Sequence, residues 1–194
     1  MSNPLFAPGA DWRLNACLNW GIDTWYAYSE GYRRAAEVVT EYVRQTHQDQ
    51  DVLIYPVLFL WRHHLELKLK AIARSASQLL GEDWTPPGDH DLGPLFAVAH
   101  KLAERCYSEF AEKVPNAELL QAKAALASLK AVDARAMAFR YPEDLKGNKH
   151  LEGPYHINFD VVERHMTAIS EALDNVESAL AIFHDWQSEA YSSY

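Results

Sequence analysis

Cysteine is nearly absent from this chain. Of 194 residues only Cys17 and Cys106 carry a thiol, too few for a disulfide framework and without the paired spacing of a zinc site. Both are read as reduced thiols. Glycine (8) and proline (9) are sparse, and no short period recurs, which excludes a collagen-like chain and an internal repeat array. Basic residues are outnumbered, 18 against 27 acidic ones, for a formal net charge of −9. A protein that coats nucleic acid through bulk charge is thereby excluded, because phosphate neutralisation needs a clustered Lys/Arg surface. A local basic groove is not.

Long apolar runs are missing as well. The longest, Val57 to Trp61 behind Val52-Leu53-Ile54-Tyr55, is closed by Arg62-His63-His64, far short of the ~20 residues of a membrane helix. The opening MSNPLFAPGADW has no basic region followed by an apolar stretch, so no secretory signal, no membrane contact and a cytoplasmic location are expected. No two histidines lie four apart and no Glu-x-x-His pair occurs. Helical di-iron and zincin-type sites therefore lack their ligands. The nucleophile elbow, the Walker loop and the dinucleotide fingerprint are also absent. No metal and no cofactor are expected.

What is present is helical periodicity. With 48% hydrophobic and 23% charged residues, the chain suits one globular domain with its own core. From the N-cap candidate Asp23, the residues Trp25, Tyr28, Tyr32, Ala35, Val39 and Tyr42 recur three and four apart, predicting a first helix. Asp51 to about Leu80, stopped by Gly81, predicts a second helix roughly 43 Å long. Pro56 should kink it or mark its true start. Leu58, Leu65, Leu69, Ile72, Ala76 and Leu79 form its main stripe, while Leu60 and Leu67 lie on the other side, so it is expected at the centre of the bundle. A third helix opens at Asp91 with Leu92, Leu95, Ala99, Leu102 and Cys106 on its face. A fourth follows Pro115-Asn116 through Leu119, Ala122, Leu126, Leu129, Asp133 and Ala136 to near Arg140, since Tyr141 precedes a proline. Phe159, Val162, Met166, Ile169, Leu173, Val176, Leu180 and Phe183 predict the fifth. The expectation is an all-α, single-domain bundle of about five helices over 23–187. An arm, 1–22, should pack on it through Trp12 and Trp20, and a tail, 188–194, should fray.

Several polar residues sit where an apolar stripe or a loop needs explaining. Asp133 continues the stripe of Leu126 and Leu129, and Arg140 follows on the same predicted face. Either the two form a salt bridge that pins the next loop, or Asp133 holds Arg140 ready for a phosphate or carboxylate. Arg62, Glu66 and Lys70 are spaced by four along the second helix, in the favourable order for Glu66 and Lys70. They form either a solvated strip or, if the helix is central, part of an internal cleft. Asp91 is explained as a helix cap. Beside it, His90 lies at the positive end of a helix, which favours a neutral imidazole that can act as base or acceptor. The connection 141–158 is long enough to suggest a functional loop.

Three segments carry a likeness: Pro56-Val-Leu-Phe-Leu-Trp-Arg-His-His-Leu-Glu66-Leu-Lys-Leu-Lys70, His90-Asp91-Leu92, and Phe139-Arg140-Tyr141-Pro142. In this order, over roughly residues 25 to 185, the chain resembles the bacterial HEPN-like all-α proteins. The resemblance implies a helical bundle that dimerises and serves in toxin–antitoxin or anti-phage defence systems. Many such proteins are metal-independent ribonucleases with an arginine and a histidine four to six residues apart on one helix. That signature is absent here: Arg44 and His47 are separated by two residues, Arg62 directly precedes His63, and Arg140 is ten positions from His150. The resemblance nominates Glu66, Lys70, His90, Asp91, Arg140 and Tyr141.

The resulting expectation is a ribonuclease or a protein that recognises RNA or a nucleotide. His90, Arg140 and Glu66 would be the catalytic group, Lys70, Arg62 and Tyr141 would bind phosphate or ligand, and Asp91 and Asp133 would support them. A homodimer is expected. The alternative is a non-catalytic interaction or dimerisation module that binds a partner protein or a second copy, motivated by Leu60, Leu67, Tyr191 and Tyr194.

Overall fold

The computed structural model describes residues 7–18, 23–88, 90–133, 137–152 and 156–192. They form five α-helices: α1 (Thr24–Thr46), α2 (Gln50–Leu79), α3 (Leu92–Glu109), α4 (Asn116–Val132) and α5 (Phe159–Ser192). A 3-10 turn, Trp12–Leu14, precedes them. The protein is an all-α helical bundle, as the periodicity predicts. Among the described residues extended backbone pairs only at an isolated bridge between Glu143 and Lys149. No helix among the described residues is long and apolar enough to cross a membrane.

Helix α2 is the hub, packing against α1, α3 and α5. Val57, Leu58, Trp61, Leu65, Leu69, Ile72, Ala73, Ala76 and Leu79 are all buried, and so are the polar Arg62, His64, Glu66, Lys68 and Ser77. Pro56 lies inside it rather than at its start, which is Gln50, with Asp49 in the left-handed region at φ 58°. Gly81, at φ 66°, ends it as expected, with Glu82 N donating back to Ser77 O at 2.9 Å. Asp23 and Asp91 cap α1 and α3 by accepting from Trp25 N and Gly93 N, each at 2.9 Å. The α5 stripe is buried from Phe159 to Phe183, with Val162 half-buried.

Four expectations are corrected. The buried stripe of α1 is Ser29, Ala36, Thr40 and Val43, displaced from the predicted aromatic one. Small side chains at the contact let α1 lie close to α2, and Tyr28 and Tyr42 are left 61% and 42% exposed. Helix α4 stops at Val132 rather than near Arg140. The Asp133 carboxylate takes up Met137 N at 2.7 Å and Ala138 N at 3.0 Å through Oδ1, so it caps a new turn over 137–140 in place of continuing the helix. Trp12 is 77% exposed rather than packed on the bundle. Trp20, Ala136 and Tyr194, which the sequence also placed, lie outside the described residues. Helix α5 continues through Ser192, beyond residue 188 where fraying was expected.

Candidate functional site

The site is built on one side of α2, where side chains a helical turn apart stack along the axis. Tyr55, Phe59, His63, Glu66 and Lys70 succeed each other at spacings of three and four, so they line one stripe. Two other parts of the chain close over it: the residue before the Asp91 cap, which brings His90, and the turn held by Asp133, which brings Arg140 and Tyr141.

Glu66 is the anchor. Its side chain is 2% exposed. Its Oε1 accepts from Lys70 Nζ at 2.7 Å and faces His90 Nδ1 at 2.8 Å, and its Oε2 lies 3.4 Å from Arg62 Nη1. Burial pushes the Glu66 carboxyl up, but the hydrogen bonds from Lys70 and His90 outweigh it and hold the group below its ordinary value. It is a carboxylate at neutral pH. The ladder Arg62, Glu66 and Lys70 is therefore an internal cluster rather than a solvated strip, with Lys70 retaining 14% exposure.

Arg62 ties the three chain segments together. Its Nη2 donates to the His90 carbonyl at 2.5 Å, and its Nε lies 3.5 Å from Asp133 Oδ2. Burial lowers the guanidinium below its ordinary value, opposed by Asp133 and Glu66. The sequence offered Asp133 as a partner of Arg140. Among the described residues its ion pair is with Arg62, because α4 ends at Val132 and the helical register linking 133 to 140 does not exist. Asp91 does more than cap: its Oδ2 holds Lys130 Nζ at 2.8 Å, joining the start of α3 to the end of α4.

His90 is the accessible member, with 49% of its side chain exposed. In the neutral ring, an Nδ1–H donated to Glu66 leaves the lone pair on Nε2. Arg140 lies over the Phe59 and Tyr141 rings, 5.7 Å from each centroid. Tyr141 is 50% exposed. Arg140, Tyr141, Tyr55 and Lys149 line a groove of about 400 Å³. The Arg140 charge acts on His63, as do those of Glu66 and His90.

His63, Phe59, Tyr55 and Lys149 are site residues the sequence reading missed. The His63 ring stacks on Phe59 at 5.7 Å and meets Tyr32 of α1 edge-on at 4.4 Å. Burial lowers its pKa, Glu66 opposes this, and Lys70, His90 and Arg140 lower it further. It is neutral at pH 7 and lies within the fields of all four. In the sequence His63 stands out only as the i, i+3 neighbour of Glu66, and a lone His/Glu pair does not by itself mark a site.

Chemically, the arrangement offers a carboxylate-oriented imidazole, a neutral histidine behind it and cationic side chains on either side. This combination can accept a proton and hold an anion. Among the described residues no group of three or more His, Cys, Asp or Glu side chains is placed to hold a metal ion. No family model, curated protein or solved structure matches the chain.

Proposed function

We propose that the chain is a HEPN-like protein of a bacterial defence or toxin–antitoxin system, and that the α2 groove recognises RNA or a nucleotide and cleaves RNA without a metal. The observation that carries this reading is the Glu66–His90 pair, a buried carboxylate 2.8 Å from the Nδ1 of a half-exposed imidazole. In this reading His90 Nε2 takes the proton of a ribose 2′-hydroxyl, and the 2′-oxygen attacks the adjacent phosphorus. The 5′-oxygen leaves with a proton from water. Arg140 and Lys70 offset the charge that develops on the phosphoryl oxygens, and Tyr141 supplies a face for a base. Arg62, Asp91 and Asp133 hold the segments in register. The test is cleavage of end-labelled single-stranded RNA in the presence of EDTA by the wild type and Arg140→Ala. Cleavage that falls at least tenfold in the variant supports the reading; absence of both RNA cleavage and nucleotide binding in the wild type overturns it.

A second reading, a non-catalytic dimerisation or interaction module, is favoured by the outer face of α1. Tyr28, Val38 and Tyr42 share one side of that helix and are 61%, 54% and 42% exposed. An apolar face of this kind suits a second copy of the chain. A monomer in sedimentation at all concentrations up to 100 µM, roughly the upper end of cellular protein levels, would count against it.

A further inference from the structure

Two opposite charges in the connection after α4 stand side by side without pairing. Glu143 and Lys149 are the partners of the isolated antiparallel bridge, so their side chains project from the same face of that hairpin. Both are exposed, and both line the α2 groove of about 400 Å³. The backbone that carries them is fixed: Asp144 N donates to Asn148 O at 2.9 Å and His150 N to Pro142 O at 3.1 Å, while the Asp144 carboxylate accepts from Lys146 N at 2.8 Å and Asn148 N at 2.9 Å. Yet no ion pair joins Glu143 to Lys149, and neither side chain is hydrogen-bonded or ion-paired to any described residue.

The aromatic walls of the same groove are open as well. Tyr55 and Tyr141 are 47% and 50% exposed, and Arg140 lies over the Tyr141 ring, 5.7 Å from its centroid. Accessible rings beside cationic side chains suit a base and its phosphate. Glu143 does not fit that pattern, because a carboxylate repels phosphate. It favours only a part of the ligand that donates hydrogen bonds, and its two oxygens match two parallel N–H donors.

We propose that Glu143 selects the base bound in the groove, and that this base is guanine. Among the four RNA bases guanine alone sets two N–H donors side by side on its Watson–Crick edge, N1–H and the N2 amino group. Adenine and cytosine place a ring-nitrogen acceptor beside their amino group, and uracil flanks its one N–H with two carbonyl oxygens, so each turns a lone pair toward the carboxylate. The guanine lies against Tyr141 with Glu143 at its donor edge, and Lys149 meets the phosphate. This role for Glu143 rests on the α2 groove being an RNA or nucleotide site, and it adds the identity of the base and the residue that reads it.

The probes are guanosine, inosine and adenosine 5′-monophosphates, which share the phosphate and the purine shape. Inosine lacks the amino group of guanosine, and adenosine has an acceptor in place of N1–H. Titration calorimetry on the full chain is expected to show guanosine monophosphate binding, with inosine monophosphate at least threefold and adenosine monophosphate at least tenfold weaker. Glu143→Gln, at an exposed position outside the helices, sets a donor beside an acceptor, the pattern that suits adenine, and should bring the guanosine-to-adenosine ratio below threefold. Lys149→Ala should weaken all three probes and leave their ratios unchanged. Adenosine monophosphate binding as tightly as guanosine monophosphate overturns the proposal. So does a preference undiminished in Glu143→Gln, or failure of guanosine monophosphate to bind the wild type at millimolar concentration. RNA cleaved by a protein that shows no preference for guanine defeats the role of Glu143 and leaves the reading of the groove standing; a guanine preference without RNA cleavage does the reverse for catalysis.

Discussion

Glu66 and His64 lie on the same helix, both 1% exposed, and they use burial in opposite ways. Glu66 keeps its charge because Lys70, His90 and Arg62 surround it. Removing that charge leaves cationic groups buried without their partner, so Glu66→Gln should lower stability by about 3 kcal/mol in urea unfolding. A loss under 1 kcal/mol would show that the cluster is solvated rather than sealed. His64 stays neutral. Its Nδ1 lies 2.9 Å from both Ser29 O and Ser29 Oγ, and its Nε2 lies 2.8 Å from Ser170 Oγ, tying α1, α2 and α5 together. Burial drives its pKa down from 6.5 to about 4. The unfolded chain therefore binds the proton more readily between these values. His64's contribution is fully present above pH 6.5 and disappears as pH falls toward 4, a change of up to about 3 kcal/mol. Comparing urea midpoints at pH 7 and pH 4.5 in the wild type and His64→Gln checks this, and the variant should lose less stability on acidification than the wild type.

At the scale of elements, the sequence signals succeeded where the cause was local. Asp23 and Asp91 cap the helices they were expected to cap, Gly81 ends α2, and the eight-position stripe of α5 is its buried face. They failed where the deciding contact came from elsewhere. The aromatic stripe of α1 looked like a core face because Trp and Tyr count as apolar, but close approach to α2 selects Ser29, Ala36 and Thr40. The end of α4 was misplaced because Asp133 fits the helical spacing, yet its carboxylate pairs with Arg62 of distant α2 while taking up Met137 N and Ala138 N of the next turn. Thr40 shows a cost of the small-residue contact. Its hydroxyl is buried without a hydrogen bond among the described residues. Thr40→Val, which keeps the shape and removes the polar atom, should leave thermal stability unchanged or raise it by up to about 1 kcal/mol. Ala36→Leu should lower it by about 1–3 kcal/mol, because there is no room for the added atoms. If both substitutions behave alike in the same melting experiment, the account of the α1 contact is wrong.

For the molecule as a whole, the bundle brings together residues that are far apart in sequence: Glu66, Lys70 and Arg62 from α2, His90 from the approach to α3, and Arg140 and Tyr141 from the turn after α4. The charged ladder and His90 were legible because regular spacing and a helix start mark them. His63, Tyr55 and Lys149 were not, since ring stacking between helices and the closure of a loop leave no trace in local spacing. In the proposed reading, a base would lie against Tyr141 and a phosphate near Arg140, both of which line the groove. The most direct measurement is therefore EDTA-resistant cleavage of a short single-stranded RNA by the wild type and His90→Ala, with circular dichroism confirming that the variant is folded. The account predicts cleavage by the wild type and a loss of about 100-fold or more in the variant. Equal rates in the two proteins, or no cleavage by either, would contradict it.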